Sequence, residues 1–470
     1  MVLLLAVNAL AGTTTIEPGD DPNGFLSSLL PGDVLELADG RYELEYGLDL
    51  LVSGTEAQPI VVRAAKGATP VLAVSGSDYT FDIREVEHVR VEGLTLEGPA
   101  DPPEGFWAGG ARVYQSDSVA LRGLTVTGYT GSGIRVEGDC RDVTVAGSAV
   151  VDMRGGLGIE VGCWDASCWL EGGSIAQNWV GRLTGEYPTG ILLHHGTQDV
   201  AVTDNVIADI PFRGLYAGST EYGEPNRIEG NAIFAIGEHG LVLQGSARVR
   251  NNVIMQTAGF GIWTVEDTSR GGLADVVIAY NTLADNGDWG MYLDGWPDAP
   301  GMVLSSNVVS NPLSLAVWYP PLSATRFTAN RIRANVFTGG VDLNPERWVD
   351  GWIEGNGHDD LEDVLNRNVY PARLSILIDA GDGSPEGFVP PIDFNGTVRD
   401  GAAPDAGAYS YVSAGNPGWA LTDDFKVLGY VEDDRSVDLG AGCCSGGGGS
   451  KAWLALGLLP VMLRRRRERR

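Results

Sequence analysis

Short runs of alternating apolar and polar residues recur between residues 85 and 345, and each run closes at an asparagine or a glycine. Examples are "SVALRGLTVTG", "DVAVTDNVIADI", "ARVRNNVIMQT" and "DVVIAYNTLADN". A period of two places every second side chain on the same side of a strand. The pattern therefore predicts many short strands that contribute to one shared interior.

The asparagines mark an internal repeat. They stand at positions 178, 205, 231, 252, 281, 307 and 335, in steps of 27, 26, 21, 29, 26 and 28 residues. In four successive repeats, a glycine followed by Ile, Leu or Met comes nine residues after the asparagine. A constant spacing here and a variable spacing elsewhere indicate a fixed turn between two strands, with insertions confined to other turns.

Strands this short cannot bury a face alone, whereas stacked coils can. No helical stretch interrupts the repeat, so we predict an all-β chain built on one parallel β-solenoid. An asparagine at a tight turn in every coil tolerates left-handed backbone, and stacked asparagines can form a hydrogen-bonded ladder.

This repeat resembles the right-handed parallel β-helix superfamily of pectate lyases over roughly residues 30 to 345. The resemblance implies a single right-handed parallel β-helix with N-terminal and C-terminal caps. The stretch "LPGDVLELADGRYELEYGLDLLVSG" is similar to the start of the chondroitinase B and alginate lyase family. Those lyases use a catalytic lysine and arginine, with calcium held by Asn and Glu. No lysine lies between residues 67 and 425, so the lysine role cannot be filled here.

A second resemblance covers "LIDAGDGSPEGFVPPIDFNGTVRDGAAPDAGAYSY", residues 377–411. It is similar to a closing segment of extracellular β-helix proteins, and we expect it to cap the open end of the solenoid, because an uncovered end invites aggregation. Asp379, Asp393 and Asp405 could instead hold Ca²⁺. No other cofactor is expected.

The net charge of −30 disfavours polyanionic binding partners. Nucleic-acid binding depends on Lys and Arg that neutralise phosphates, so a nucleic acid is excluded as partner. The same charge disfavours polyanionic glycans unless a cation bridges them.

One outward-facing row can be read from the register. If the residue after each glycine points inward, the next one points outward. That row runs through Arg135, Glu160, Leu192, Tyr216, Val242, Trp263 and Tyr292. In the next coil the nine-residue spacing from Asn307 reaches Ala316 in place of the glycine, and the outward residue is Trp318. Exposed aromatic rings suit the apolar faces of sugars, so Tyr216, Trp263, Tyr292 and Trp318 are the predicted substrate-binding residues. Alternatively, the loops "EDTSRGGLAD" and "DGWPDAPG" fold over these rings and bury them.

Candidate catalytic residues are Arg213, His239, His194 and Glu266. Arg213 and His239 are expected side by side on adjacent coils, at the edge of the aromatic row. His194 and His195 alternate in direction, so only one of them can face outward. Histidine transfers protons near neutral pH, and arginine can neutralise a carboxylate or act as a base.

Three cysteines lie in the body, Cys140, Cys163 and Cys168. One pair can form a disulfide in an exported chain, and the sequence does not decide which pair. A zinc site is disfavoured, because no histidine stands at ligand spacing from "GCWDASC". No firm metal site is predicted.

The two ends predict export. The apolar run from Val2 to Leu10 ends in Ala9-Leu10-Ala11, which has the small-x-small pattern of a cleavage site. These features fit a truncated signal peptide, with a buried first strand as the alternative. The tail "CCSGGGGSKAWLALGLLPVMLRRRRERR" resembles the MYXO-CTERM sorting tail, and secondarily the GlyGly-CTERM type. That resemblance implies a sorting protease that cuts near Cys443 and Cys444, with the arginines on the cytoplasmic side. A permanent membrane stub is the alternative.

Together these features give a domain order and a function hypothesis. The predicted order is 1–11 signal peptide, 12–50 N-terminal cap, 51–345 β-helix, 346–425 C-terminal cap, 426–442 linker and 443–470 sorting tail. We expect a monomeric protein at the outer surface of a Gram-negative-type bacterium, anchored or released after tail processing. It would bind, and as a lyase, hydrolase or epimerase process, a polysaccharide. The alternative is a non-catalytic adhesin or structural solenoid.

Overall fold

The computed structural model describes residues 11–426 except 77, 103–104, 166, 220–222, 266–272, 297–300, 320–330, 343–350, 385–387 and 400–402. Short strands dominate these residues, and each pairs in parallel with a strand of the next coil. The predicted all-β parallel solenoid is confirmed.

Three parallel sheets run side by side along the solenoid. The first sheet contains Thr13–Ile16, Val34–Leu37, Ile60–Ala64, Glu87–Glu92, Asp117–Arg122, Cys140–Arg141, Thr144–Ala146, Leu170–Glu171, Ser174–Ala176, Thr197–Gln198, Ala201–Thr203, Asn226–Glu229, Ala247–Arg250, Val277–Ala279, Val303–Ser305 and Arg331–Arg333. The second contains Arg41–Leu44, Val71–Val74, Thr95–Glu97, Thr125–Thr127, Ala149–Val151, Trp179–Gly181, Val206–Ile210, Ala232–Ile236, Val253–Thr257, Thr282–Ala284, Val308–Trp318, Asn335–Asp342 and Trp352–Glu354. The third contains Leu48–Leu50, Tyr79–Arg84, Gly109–Tyr114, Ile134–Glu137, Ile159–Val161, Thr189–Leu193, Arg213–Ala217, Leu241–Leu243, Ile262–Thr264, Trp289–Leu293 and the ends of the two long strands, Val308–Trp318 and Asn335–Asp342.

A few elements lie outside this pattern. They are the α-helix Pro22–Leu26, the 3₁₀ helices Gly357–Asp360 and Val364–Asn366, and the antiparallel strands Leu361–Asp363 and Asn368–Pro371. Among the described residues, no helix is long and apolar enough to cross a bilayer.

The parallel pairing begins earlier than residue 51, the predicted start of the β-helix. Thr13–Ile16 pairs with Val34–Leu37, which pairs with Ile60–Ala64. These first coils carry neither the repeated asparagine nor the glycine, so the repeat pattern did not include them. Beside them the short helix Pro22–Leu26, capped by the Asp21 side chain, buries Leu26 in the same core.

The interior is filled by aligned apolar side chains. In the third sheet, Ile134, Ile159, Ile191, Leu215 and Leu241 pair in register along successive coils, and each is 0% exposed. Their neighbours in sequence point outward, as the alternating pattern predicts.

A ladder of buried asparagines holds the coils in register. The Asn205 backbone N–H and Nδ2 both donate to Oδ1 of Asn231, at 3.0 and 2.9 Å. Nδ2 also donates to the Ile175 carbonyl at 2.8 Å. The same asparagine-to-asparagine bonds recur at every step from Asn178 to Asn335. The predicted ladder is confirmed, and every donor of these buried amides is satisfied.

The backbone prediction for these asparagines is wrong. The left-handed residue is the one before the asparagine, as at Asp204 (φ 55°), Asn251 (φ 55°) and Tyr280 (φ 56°). The chain bends from the first sheet to the second at this preceding residue. The asparagine itself is then free to direct its side chain into the interior.

The repeated glycine permits close approach of consecutive coils. A Cβ on Gly214 would lie 2.6 Å from the Gly240 carbonyl oxygen and 2.6 Å from Ile233 Cγ2. A side chain at this position would have to displace the backbone of the next coil. The constant nine-residue spacing therefore reflects two fixed points, an asparagine that bonds and a glycine that lets the third sheet begin.

The C-terminal segment packs against the outer face of the second sheet. That face is apolar, because Val206, Ala208, Ala232, Phe234 and Met255 point away from the solenoid interior. Side chains of the segment that cover it are Leu361, Val369, Tyr370, Phe394, Ala408 and Tyr409. Strands buried on both faces read as continuous apolar runs, as in "NVIADI" and "NAIFAI".

Residues 377–411, expected to cap the solenoid end, make contacts along its flank. The Asp382 N–H donates to Ser306 Oγ at 2.9 Å, and the Ala408 N–H donates to Thr282 Oγ1 at 2.9 Å. Arg399 donates to Asn251 Oδ1 at 3.0 Å. In these contacts the segment therefore lies against the side of the solenoid rather than its end.

The three aspartates of this segment organise its backbone. Asp393 accepts the N–H groups of Asn395, Thr397 and Ser410 at 2.7–2.9 Å, and burial raises its pKa. Asp405 accepts the N–H of Asp379 at 2.8 Å and the N–H of Tyr411 at 2.6 Å. In the described part of the chain, no group of three His, Cys, Asp or Glu side chains is arranged to hold a metal ion.

Lys426 secures the last described residues. Its Nζ lies 2.7 Å from Asp204 Oδ1, 2.7 Å from the Gly230 carbonyl and 3.7 Å from the centroid of the Phe394 ring. Burial lowers the pKa of this ammonium. The chain divides into two units, Met1–Tyr430 and Val431–Arg470, and the second lies outside the described residues.

We predict that Asn231→Ala destabilises the solenoid by about 3 kcal/mol or more, because the Asn205 donors and the Val202 carbonyl lose a buried partner. Guanidinium unfolding followed by circular dichroism measures the effect. Asn366→Ala, at the exposed end of the 3₁₀ helix Val364–Asn366, should stay within about 0.5 kcal/mol of wild type. Equal midpoints for the two variants would contradict the role of the ladder.

Candidate functional site

The outer face of the third sheet carries a continuous row of side chains in register. This central row runs Asp82, Arg112, Arg135, Glu160, Leu192, Tyr216, Val242, Trp263, Tyr292, Trp318, one residue per coil. It includes all the residues of the outward row read from the sequence. The row has a charged half, Asp82 to Glu160, and an aromatic half, Tyr216 to Trp318.

The aromatic half forms a column of stacked rings. His239 stacks on Phe260 with centroids 4.7 Å apart, Phe260 stacks on Tyr292 at 4.7 Å, and Tyr292 stacks on Trp318 at 4.5 Å. Trp263 contacts the column edge-on, 4.8 Å from His239. The rings of the column come from two rows. Tyr292 and Trp318 belong to the central row, whereas His239 and Phe260 lie three positions before the central-row residues Val242 and Trp263.

These rings are half-buried. Tyr216, Trp263, Tyr292 and Trp318 are each of intermediate exposure, and the Trp263 indole N–H is buried without a hydrogen-bond partner among the described residues. Of the two loops that could cover them, "EDTSRGGLAD" lies mostly outside the described residues, and "DGWPDAPG" partly so. Its Trp296 is 1% exposed and packs in the solenoid core.

Arg213 and His239 lie on adjacent coils and share one carboxylate. Arg213 Nε donates to Glu238 Oε2 at 3.1 Å, and His239 Nε2 lies 3.9 Å from the same oxygen. The Phe260 N–H donates to His239 Nδ1 at 3.1 Å, and burial lowers the pKa of His239. The Nδ1 atom of His239 is therefore occupied as an acceptor, and the lowered pKa makes this imidazole a weaker base.

His194 belongs to the charged half. Its Nε2 lies 3.0 Å from Glu160 Oε1, and both residues are buried. Ser132 Oγ donates to the other Glu160 oxygen at 2.5 Å. His195 turns the opposite way, toward Gln244 Oε1 at 3.4 Å. The two histidines thus diverge, and a carboxylate orients His194.

Paired charges line the rest of this half. Arg112 binds Asp82 through two bonds of 2.6 and 2.9 Å. Arg135 lies 2.7 Å from Glu137 and 3.5 Å from Glu160. The sequence analysis missed Arg112 and Asp82. In "GGARV", however, Arg112 stands two residues after a glycine, as the outward residues of the later coils do, and it lies one coil before Arg135.

The opposing effects on Glu160 leave it ionised. Burial raises its pKa, but the hydrogen bond from His194, the charge of Arg135 and the bond from Ser132 together lower it below its usual value. An ionised carboxylate beside an imidazole can orient the ring.

Comparison with known proteins agrees with this architecture. The family described as "Right handed beta helix region" matches residues 109–273. The fold is the right-handed parallel β-helix. No curated protein matches the chain.

Solved structures share this β-helix at low identity. The pectate lyase Pel9A is 16% identical, with a TM-score of 0.54, over 85% of this chain and 96% of its own. XylC in complex with xylose is 10% identical, with a TM-score of 0.53, over 83% and 95%. A mannuronic acid specific family 6 lyase from human gut microbiota is 17% identical, with a TM-score of 0.50, over 73% and 90%. At these identities the likeness shows the fold.

In the β-helix, Cys163 and Cys168 form a disulfide, one of the pairings left open by the sequence. Cys140 is a buried free thiol, and burial raises its pKa to about 11. The disulfide closes a loop that carries Trp164, whose ring lies edge-on to His194 with centroids 5.7 Å apart. Three predicted functional residues, Glu266, Cys443 and Cys444, lie outside the described residues.

We predict a pH dependence that distinguishes Glu160 from surface carboxylates. Because the folded pKa of Glu160 is lowered, its contribution to stability is present above the unfolded value of 4.5 and is lost as pH falls through the folded pKa. The stability difference between wild type and Glu160→Gln should therefore shrink from pH 7 to pH 3 in thermal melts. Glu171→Gln, at an exposed pair with Arg141, serves as control and should show a small, flat difference. A Glu160→Gln difference that is equally flat would contradict the assignment.

Proposed function

We propose that this protein binds a polysaccharide along the outer face of the third sheet and processes it there. The observation that carries the proposal is the column His239–Phe260–Tyr292–Trp318, with Trp263 against it. Pyranose rings present apolar C–H faces, and such faces pack well on aromatic rings. Half-buried rings aligned over several coils suit an extended chain better than a small ligand.

The charged half supports processing as well as binding. His194, oriented by ionised Glu160, is the described histidine best placed to accept or return a proton. Arg213, which is paired with Glu238 beside the ring column, is suited to holding sugar oxygens. The solved structures whose names denote pectate or mannuronic acid lyases, and the xylose complex of XylC, share this fold and agree with a carbohydrate ligand.

A non-catalytic glycan-binding solenoid is the second candidate. It is favoured by the paired state of the arginines on this face and by the absence of lysine between residues 67 and 425. Release of reducing or unsaturated ends from a bound polysaccharide would decide for catalysis, whereas binding without turnover would decide for the solenoid.

The composition of the two ends of the chain supports a proposal for its location. We propose export, followed by sorting to the outer surface through the tail from Cys443 to Arg470, with cleavage near Cys443 and Cys444. Mass spectrometry of protein extracted from the cell surface should find a C-terminus near these cysteines. An intact Arg470 on the mature surface protein would contradict sorting and favour a permanent membrane stub.

We predict that Trp263→Ala and Tyr292→Ala each weaken polysaccharide binding by about fivefold or more, because each removes a ring from the column. An array of neutral and acidic polysaccharides identifies the strongest binder, and titration calorimetry then measures the affinity. Trp169→Ala removes a 39% exposed ring beside Arg141, outside the column, and is the matched control.

Unchanged binding in both column variants, with folding intact by circular dichroism, would contradict a role for this face. A loss of binding in the Trp169→Ala control would show that the effect is not specific to the column.

A further inference from the structure

Apolar side chains line the corner between the second and third sheets, beside the ring column. Tyr187 is 63% exposed, and its ring lies edge-on to the half-buried Phe212, with centroids 5.2 Å apart. Several coils further on, Leu313 is 99% exposed and Leu315 is 38% exposed. A group of apolar side chains that stays open to solvent indicates an interaction site.

This corner is continuous with the ring column. Backbone hydrogen bonds between consecutive coils align one residue per coil, namely Arg213, His239, Phe260, Trp289 and Leu315. The Trp289 ring lies 6.2 Å from that of Tyr292, between centroids. The Arg213 guanidinium lies 4.4 Å from the centroid of the Phe212 ring. The corner and the column therefore form one surface that crosses the coils from Tyr187 to Leu315.

Carboxylates border this surface. The Glu238 N–H donates to the Phe212 carbonyl at 2.8 Å, so Glu238 lies in the same corner, one coil on from Phe212. Asp288 and Asp294 are exposed, and neither forms an ion pair with another described residue. The guanidinium beside these rings, Arg213, is already paired with Glu238 at 3.1 Å. Negative charge is therefore in excess along this border.

This negative charge acts on the rings of the column. Burial lowers the pKa of His239, and the charges of Glu238 and Asp288 both oppose that effect. Burial raises the pKa of Tyr292, and the charge of Asp294 adds to the rise. Like charges brought together at a binding surface cost affinity. A sugar carboxylate would therefore be repelled here, whereas the apolar C–H face of a neutral sugar would pack on the rings.

We infer that the corner from Tyr187 to Leu315 belongs to the binding site, and that this site takes an uncharged polysaccharide and rejects polyuronates. The inference rests on the proposed polysaccharide function and adds the chemical class of the ligand. A chain of neutral sugars would lie across the coils with its apolar faces on the column and the corner. Its hydroxyl groups would donate hydrogen bonds to the bordering carboxylates, which accept but cannot donate when ionised.

The test first ranks the polysaccharide array against the whole chain, with calcium removed by chelation. The strongest binder should be neutral. A polyuronate at the top of the ranking would overturn the inference but leave the proposed function standing. No binding by any member of the array would overturn the proposed function itself.

A matched pair of derivatives then isolates the effect of charge. The strongest neutral binder is carboxymethylated or, as the uncharged control for added bulk, hydroxyethylated to the same degree. In titration calorimetry at about 50 mM NaCl, the carboxymethyl derivative should bind about tenfold more weakly than the hydroxyethyl derivative. The difference should narrow toward about 500 mM NaCl, because salt screens the repulsion. Equal affinity of the two derivatives at low salt would overturn the inference.

A double variant tests the bordering carboxylates. Asp288→Asn with Asp294→Asn removes two charges and keeps an oxygen for the Gly295 N–H, which Asp294 accepts at 2.9 Å. Affinity for the carboxymethyl derivative should rise about threefold or more, while affinity for the hydroxyethyl derivative stays unchanged. The control is Glu56→Gln with Asp101→Asn, which makes the same charge change at exposed positions of earlier coils. An equal rise in the control would trace the effect to net charge and overturn the local role of the border.

Two further variants test the apolar corner. Tyr187→Ala and Leu315→Ala should each weaken binding of the neutral polymer by about threefold or more, with the fold unchanged by circular dichroism. Tyr46→Ala removes a 71% exposed ring from an early coil and is the matched control. Affinity equal to wild type in both corner variants would exclude the corner from the site and overturn the inference.

Discussion

The amide side chain of a buried asparagine has two donors and an acceptor, and all must be satisfied where water cannot reach. In this protein, Asn205 meets that requirement only if Asn231 stands one coil away in a fixed register, and Asn231 places the same demand on Asn252. Each coil is therefore positioned by its neighbour. In four of these coils a glycine follows nine residues later, so the start of the third sheet is fixed too, and with it the residue that faces outward.

That constraint gives two histidines different chemistry on one surface. His239 lies in the aromatic half, where burial lowers its pKa and its ring stacks on Phe260. His194 sits at the boundary of the charged half, where an ionised glutamate holds its ring. Neither role is a property of histidine alone. The chemistry of each histidine depends on the side chains that the neighbouring coils place beside it, Phe260 for His239 and Glu160 for His194.

The sequence was sufficient for the features that depend on local spacing. The solenoid and the asparagine ladder follow from the spacing of the asparagines. The alignment from Arg135 to Trp318 follows from the glycine, replaced by Ala316 in the last coil, that stands two residues before each outward residue. It was insufficient where an interaction joins distant residues of the chain. The Arg112–Asp82 pair, the contact of Trp164 with His194 and the stacking of Phe260 between His239 and Tyr292 require three-dimensional packing. The left-handed residue before each asparagine was missed because Asp204, Asn251 and Tyr280 share no side-chain chemistry.

The C-terminal segment contacts several coils at once. Lys426 reaches Asp204 and Gly230, Arg399 reaches Asn251, and Gly357 reaches Thr338. In a solenoid whose coils contact only their neighbours, unfolding can begin at an end and advance one coil at a time. A segment bound across these coils removes that option, since no coil beneath it can leave without releasing its contacts with the segment. The coils beneath the segment therefore unfold cooperatively. These contacts of the segment reach back no further than Asp204, so earlier coils depend on the sheets, the core and side-chain pairs such as Arg41–Glu97.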